Sequence, residues 1–148
     1  MDPLNAIASI AASGMRAQAE RLRVVSENVA NADSTGGSPG ADPYRRKTIS
    51  FGQMVAGAGG GSDGGGGAGG GSDVGVRVTD IGHDMTAFAV KYDPGNPAAD
   101  ARGFVKMPNV NPIIEMADMR EASRSYEANV NMLSEGRKME QQMIDLLK

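Results

Sequence analysis

From Pro3 to about Asn31 the apolar side chains recur at heptad spacing. Leu4, Ala11 and Val25 fall on one position and Ala8, Met15, Leu22 and Val29 on the other, with Gln18 the polar exception. The pattern predicts an amphipathic helix of about four heptads, about 40 Å long at about 1.5 Å per residue. Asp2 is placed to cap it, Pro3 suits its first turn, and Arg16, Glu20, Arg23 and Glu27 decorate its outer faces. A second long helix is predicted from about Asn111 to Lys148, with Pro112 in the first turn. Its main apolar seam runs Met116, Met119, Tyr126, Val130, Leu133, Ile144 and Leu147, interrupted by Ser123, Arg137 and Glu140. A further stripe, Met132, Met139, Met143 and Leu146, lies on a neighbouring face. An antiparallel partner covers only one of these stripes well, so the other needs something more. Methionine also fills irregular cores, but two helices make a poor closed bundle, which favours self-association or assembly into a larger helical body.

Between the helices the period changes to two. "KTISF" puts Ile49 and Phe51 on one face, "VGVRV" aligns Val74, Val76 and Val78, and "FAVKY" aligns Phe88, Val90 and Tyr92. These runs predict a small antiparallel unit of about three strands. "YDPGNP" is a turn-rich link toward a further extended piece, "GFVKM". Inside this middle lies "GAGGGSDGGGGAGGGSD", with eleven glycines in seventeen residues. It lacks the lysine and hydroxyl residue of a phosphate loop, and the apolar positions of a calcium-binding repeat. It is expected to be a flexible loop between strands, cheap to change in length.

The expected fold is therefore mainly α with a small β part: long N- and C-terminal helices in a coiled-coil-like pair, a small antiparallel β insertion and extended linkers. Residues 1–31 form the N-terminal core helix, 32–110 the extended link and β region with its flexible loop at 57–73, and 111–148 the C-terminal core helix.

Composition narrows the function. Of 148 residues 21 are glycine and only six aromatic, Tyr 3 and Phe 3, too little for one large globule. The net charge of −3 and the shortness of the densest basic run, Tyr44 to Lys47, argue against nucleic-acid binding. Cysteine is absent, which removes disulfides, thiolate catalysis and cysteine metal sites. The start lacks the basic region of a cleavable signal, and no apolar run reaches the roughly 20 residues of a membrane span. The single histidine, His83, stands beside Asp80 and Asp84 in a predicted loop, where it reads as solvated polar sequence better than as a metal or catalytic site. No nucleophile has a matching base, so a non-enzyme without cofactor is expected.

One stretch asks for explanation: "SENVANADST" ends the first helix with Asn28 and Asn31 on nearly the same face. Short amides bond unpaired terminal carbonyls and tolerate the left-handed turn, so the pair is either a helix stop or a device fixing the direction in which the chain leaves. This segment resembles the asparagine-rich end of the first helix in bacterial flagellar axial proteins, those of the rod, hook and hook-associated parts. "YDPGNPAADARGFVKMPNVNPIIEM" and "EASRSYEANV" resemble the rod members of that family. Asn28, Ala30, Asn31 and Ala32 match the family's helix end, and Gly103, Met107, Pro108 and Asn109 match its link; the glycine tract departs from the pattern.

The resemblance implies a structural subunit of the proximal rod, whose terminal helices pair in the inner core of a periplasmic drive shaft while a small β part faces outward. It implies export through the flagellar type III apparatus without a cleaved signal. Partners would be copies of itself, other proximal-rod proteins, the adaptor joining rod to membrane ring, and the distal rod. The helices are expected to order largely on docking. The alternative from another class is a cytosolic coiled-coil adaptor binding partner helices.

Overall fold

The computed structural model describes residues 3–54 and 74–146, with side chains from Asn5 onward. Six elements follow in order: α1 (Pro3–Ala30), β1 (Lys47–Met54), β2 (Gly75–His83), β3 (Ala89–Tyr92), β4 (Phe104–Met107) and α2 (Pro112–Leu146). The chain is mainly helical with a small β part. The glycine-rich loop expected at 57–73 lies outside the described residues.

The helix ends follow from local chemistry. At α2 the Asn111 side chain accepts from Ile113 N–H at 3.1 Å and Pro112 takes the first helical position, where a missing N–H costs nothing. At the end of α1 the Asn31 amide donates to the Glu27 carbonyl at 2.9 Å and its oxygen accepts from Ser34 Oγ at 3.1 Å. The Glu27 carbonyl also accepts from Asn31 N–H at 3.1 Å, so the asparagine's backbone and side chain both close the last turn.

The two helices run antiparallel: Gly14 faces Asn129, Arg21 pairs with Asp118 at 3.3 Å, and Asn28 meets Glu115. Close approach requires small residues, and a Cβ on Gly14 would sit 2.8 Å from Asn129 Nδ2. A second face of α1 packs on the β1–β2 pair. Gly75 lies against Ser13, whose hydroxyl accepts from Val76 N–H at 3.1 Å. The buried apolar set of α1 is accordingly Ala11, Ala17, Val24 and Val25.

The strands differ from the single three-stranded unit expected. Among the described residues they form two separate antiparallel pairs, β1 with β2 and β3 with β4. The piece at Phe104–Met107 is itself a strand because the preceding link folds back. The Asp100 carboxylate accepts from the backbones of Arg102 at 2.8 Å and Phe104 at 2.9 Å, and Gly103 adopts φ 82°. Tyr92 and Phe104 then meet edge to face, with centroids 5.3 Å apart. β2 also runs further than expected, through a bulge opposite Ser50/Phe51 that sets Ile81 against Ile49, so His83 is a strand residue opposite Lys47 and not part of a loop.

Candidate functional site

Asn28 is 1% exposed and uses all four hydrogen-bonding positions of its amide. Its nitrogen donates to the Lys47 carbonyl at 2.9 Å and to Glu115 Oε2 at 3.0 Å; its oxygen accepts from Lys47 N–H and Tyr44 O–H, each at 2.9 Å. Toward the start of β1 the side chain thus stands in for a neighbouring strand, offering donor and acceptor to one residue's backbone. The two asparagines have different tasks: Asn31 ends the helix, and Asn28 joins three elements.

Glu115, 0% exposed, completes this joint. Its second oxygen accepts from Arg46 Nε, so the buried carboxylate has an amide on one oxygen and a guanidinium on the other. Arg46 also faces Asp84 at 3.8 Å and Asp118 at 3.9 Å. Asn109 fixes the backbone beside it, accepting from Arg46 N–H at 2.8 Å and donating to the Asp84 carbonyl at 2.9 Å. Family-motif residues from the helix end and from the link therefore converge on one joint. A cleft of about 410 Å³ adjoins it, lined by Arg21, Val24, Ile49 and Phe51 among others.

The basic run is spent inside the subunit. Arg45 lies 4.2 Å over the Phe88 ring, Arg46 holds Glu115, and Lys47 Nζ donates to Glu27 at 2.7 Å. The Lys47 hydrogen bond holds the Glu27 carboxyl below its ordinary range, and Glu27 in turn raises Lys47. The backbone N–H of Thr86 keeps Asp84 low. Desolvation pushes the Tyr44 phenol up.

Along the helices the interior is not the seam of large apolar residues that periodicity suggests. On α1, Ala11 and Val25 are buried as expected, while Ala8, Met15, Leu22 and Val29 are half-buried; the Leu4 side chain lies outside the described residues. On α2 the line facing α1 is Glu115, Ala122, Asn129 and Gly136, spaced by sevens and made of small or polar residues. Met119 and Leu133 are half-buried beside it. Met116, Tyr126, Val130, Met132, Met139, Met143, Ile144 and Leu146 remain exposed, and Leu147 lies outside the described residues. Near Gly14 the physical reason is the close approach, since even a Cβ there would meet Asn129 and large side chains are displaced to the flanks; at Glu115 the buried side chain is instead a hydrogen-bonded one.

The remaining motif residues are mostly structural. Gly103 needs its positive φ, and a Cβ there would meet the Tyr92 ring at 2.9 Å. Met107 ends β4, Pro108 is buried, Ala30 is exposed and Ala32 half-buried. Among the described residues no cluster of three or more histidine and acidic side chains forms a metal site around His83 or elsewhere. Sequence reading missed Glu115, Arg46 and Tyr44; a usable signal was the seven-residue line of small and polar positions through Glu115.

Residues 9–37 match the family described as flagella basal body rod protein, and residues 101–146 match flagellar basal body rod FlgEFG protein C-terminal. Those spans contain both motif segments. The chain is 53% identical to the flagellar basal-body rod protein FlgC of Agrobacterium fabrum over 148 residues, covering 100% of this chain and 98% of that one. Identity to FlgC of Escherichia coli is 43% over 86% of each chain, and to FlgC of Borreliella burgdorferi 37% over 95% of each.

Proposed function

The chain belongs to the FlgC family of flagellar basal-body rod proteins, and from that premise we propose how it is built into the rod. It is a structural subunit of the basal body and not an enzyme. In our reading α1 and α2 act as a coiled-coil-like pair in the inner wall of the proximal rod, the shaft that transmits torque for motility. The assembly residues are the half-buried and exposed apolar positions of both helices, from Met15 and Leu22 on α1 to Met116, Val130, Met139 and Ile144 on α2. The subunit's neighbours are copies of itself, the other proximal-rod proteins, the adaptor to the membrane ring and the distal rod. It reaches the periplasm through the flagellar type III export apparatus, unprocessed.

The observation that supports this reading is the uncovered face of α2. Six side chains between Met116 and Leu146 are half exposed or nearly so in one subunit, and removing each remaining half from water is worth about 1 kcal/mol. A row of that size marks an interaction surface. Among the described residues no helix is long and apolar enough to cross a membrane.

The test combines location with a surface charge. An epitope inserted between Gly64 and Gly67 is expected by immunoblot in detergent-extracted basal bodies of a motile strain. Val130→Asp, at a position 41% exposed, is expected to leave the free subunit folded and to be absent from basal bodies. Normal incorporation of Val130→Asp would remove the helix face from the assembly. Retention of the tagged protein in the cytosol of a motile strain would favour the adaptor.

A further inference from the structure

The helices carry two interior glycines of opposite character. Gly14 is explained within the chain, since Asn129 occupies the space a side chain would need. Gly136 continues the seven-residue line of α2 that faces α1, yet a Cβ there meets nothing within 4 Å. Glycine inside a helix is disfavoured against alanine by backbone entropy, and packing among the described residues supplies no compensation. Gly136 instead floors two adjoining dimples of about 210 and 240 Å³, walled by Ile7 of α1 and by Met132 and Met139 of α2. Among the described residues of the chain, nothing fills them.

The same chain presents a shape that fits. With Gly14 opposite Asn129, the antiparallel run brings Pro3 opposite about residue 140, so the last turn and a half of α2 extends past the start of α1. That overhang carries Met143, Ile144 and Leu146, the last 86% exposed. Charge agrees as well. Arg137 rims the dimple and Asp145 lies on the overhang, and neither makes an ion pair among the described residues.

We propose that the Gly136 dimple of one subunit receives the overhanging end of α2 from a second copy, with Leu146 as the inserted side chain and Asp145 against Arg137. Donor and acceptor are different surfaces of one chain, so the contact is heterologous. Repeated, it extends a row of subunits instead of closing a two-fold dimer. Glycine at 136 lets the incoming helix reach the floor of the dimple. This rests on the reading of the terminal helices as assembly elements and names the contact that propagates them.

The absence of cysteine from the chain makes the test direct. Met132→Cys and Leu146→Cys chains are co-produced in cells lacking the unaltered protein, and isolated basal bodies are mildly oxidised. The expected product is a covalent dimer at twice 15.3 kDa, seen only when both variants are present. A dimer from Met132→Cys alone, a crosslink to a protein of different mass, or no crosslink overturns the proposal. Independently, Gly136→Leu fills the dimple and is expected to lower incorporation into basal bodies at least tenfold while leaving the free subunit's helical signal and melting temperature undiminished. Normal incorporation of Gly136→Leu beside failure of Val130→Asp would defeat this contact and spare the wider assembly reading; normal incorporation of both would defeat the two together.

Discussion

Asn28→Ala removes four hydrogen bonds at once, and their surroundings set the size of the loss. Tyr44 O–H and the Lys47 backbone are only part-buried, so water can replace much of what they lose. Glu115 is fully enclosed and keeps only its guanidinium partner. Counting about 1 kcal/mol for each rehydrated group and about 2 for the enclosed carboxylate gives about 3–5 kcal/mol. Against a typical total of about 5–15 kcal/mol this is a large fraction. Asn31→Ala, a few residues on, loses one bond to the Glu27 carbonyl and one from Ser34, both part-buried, and is expected to lose only about 0.5–1 kcal/mol. Asn28→Asp keeps the shape but turns the donor facing Glu115 into a second carboxylate, so it should be no better than alanine. Urea unfolding of the isolated subunit, followed by circular dichroism, ranks the three. Equal losses for Asn28→Ala and Asn31→Ala, or a loss below about 1 kcal/mol for the former, would refute the joint as described.

Gly103→Ala places a Cβ at φ 82° and 2.9 Å from the Tyr92 ring, so thermal melts should show a loss of about 1–3 kcal/mol. The carboxyls of Glu27, Asp42, Asp84 and Asp100 are all held below their ordinary values, Glu27 and Asp42 by Lys47 and Lys106, the others by backbone N–H groups. Depressed carboxyls contribute above their unfolded values and cease to as pH falls through the folded ones. The urea midpoint should therefore be flat between about pH 6 and 8 and decline below about pH 4.5; a rise on acidification would contradict it. Deleting Gly59 to Gly71 leaves seven residues of the twenty between Met54 and Gly75, ample for an antiparallel connection. Closure entropy predicts unchanged motility and a gain of about 1 kcal/mol in the free subunit; lost motility at normal protein levels would show that the tract makes contacts.

Much of the fold is legible from local pattern, because helix ends and strands are local events. Pro112 after Asn111 marks the start of α2, Asn31 marks the stop of α1, and each alternating run in the middle overlaps a strand. What the pattern misreads is the inside of the helix pair. Heptad counting weights large apolar side chains, whereas the line that faces α1 is made of small and polar ones. Met116 and Val130 of the main seam are exposed, as is Met139 of the second stripe, the one expected to need another partner, while Glu115 and Asn129 lie against α1. The joint was half visible. Two asparagines at a helix end raise the right question, but the partners that answer it for Asn28, Lys47 and Glu115, lie 19 and 87 residues further along the chain. No periodicity carries information over that distance.

The subunit's two ends therefore differ in what completes them. At the joint, Asn28, Arg46, Asn109 and Glu115 exchange their hydrogen bonds within one chain, so the angle between the helix pair and the strands is expected to be set without a partner. At the far end, beyond Gly14, the dimples stay open among the described residues and Met143, Ile144 and Leu146 are exposed, the surface proposed above to be completed by another chain. The expectation that both helices order on docking is open to test segment by segment. Amide hydrogen exchange in the free subunit should be slow over Val24, Asn28, Glu115 and Ala122, where opening exposes buried polar groups, and fast over Asn5 to Ile10 and from Gly136 onward. Incorporation into the rod should protect the second set and leave the first unchanged. Uniformly fast exchange would mean that the joint forms only in the assembly, and uniformly slow exchange would mean that the far end needs no partner to hold it.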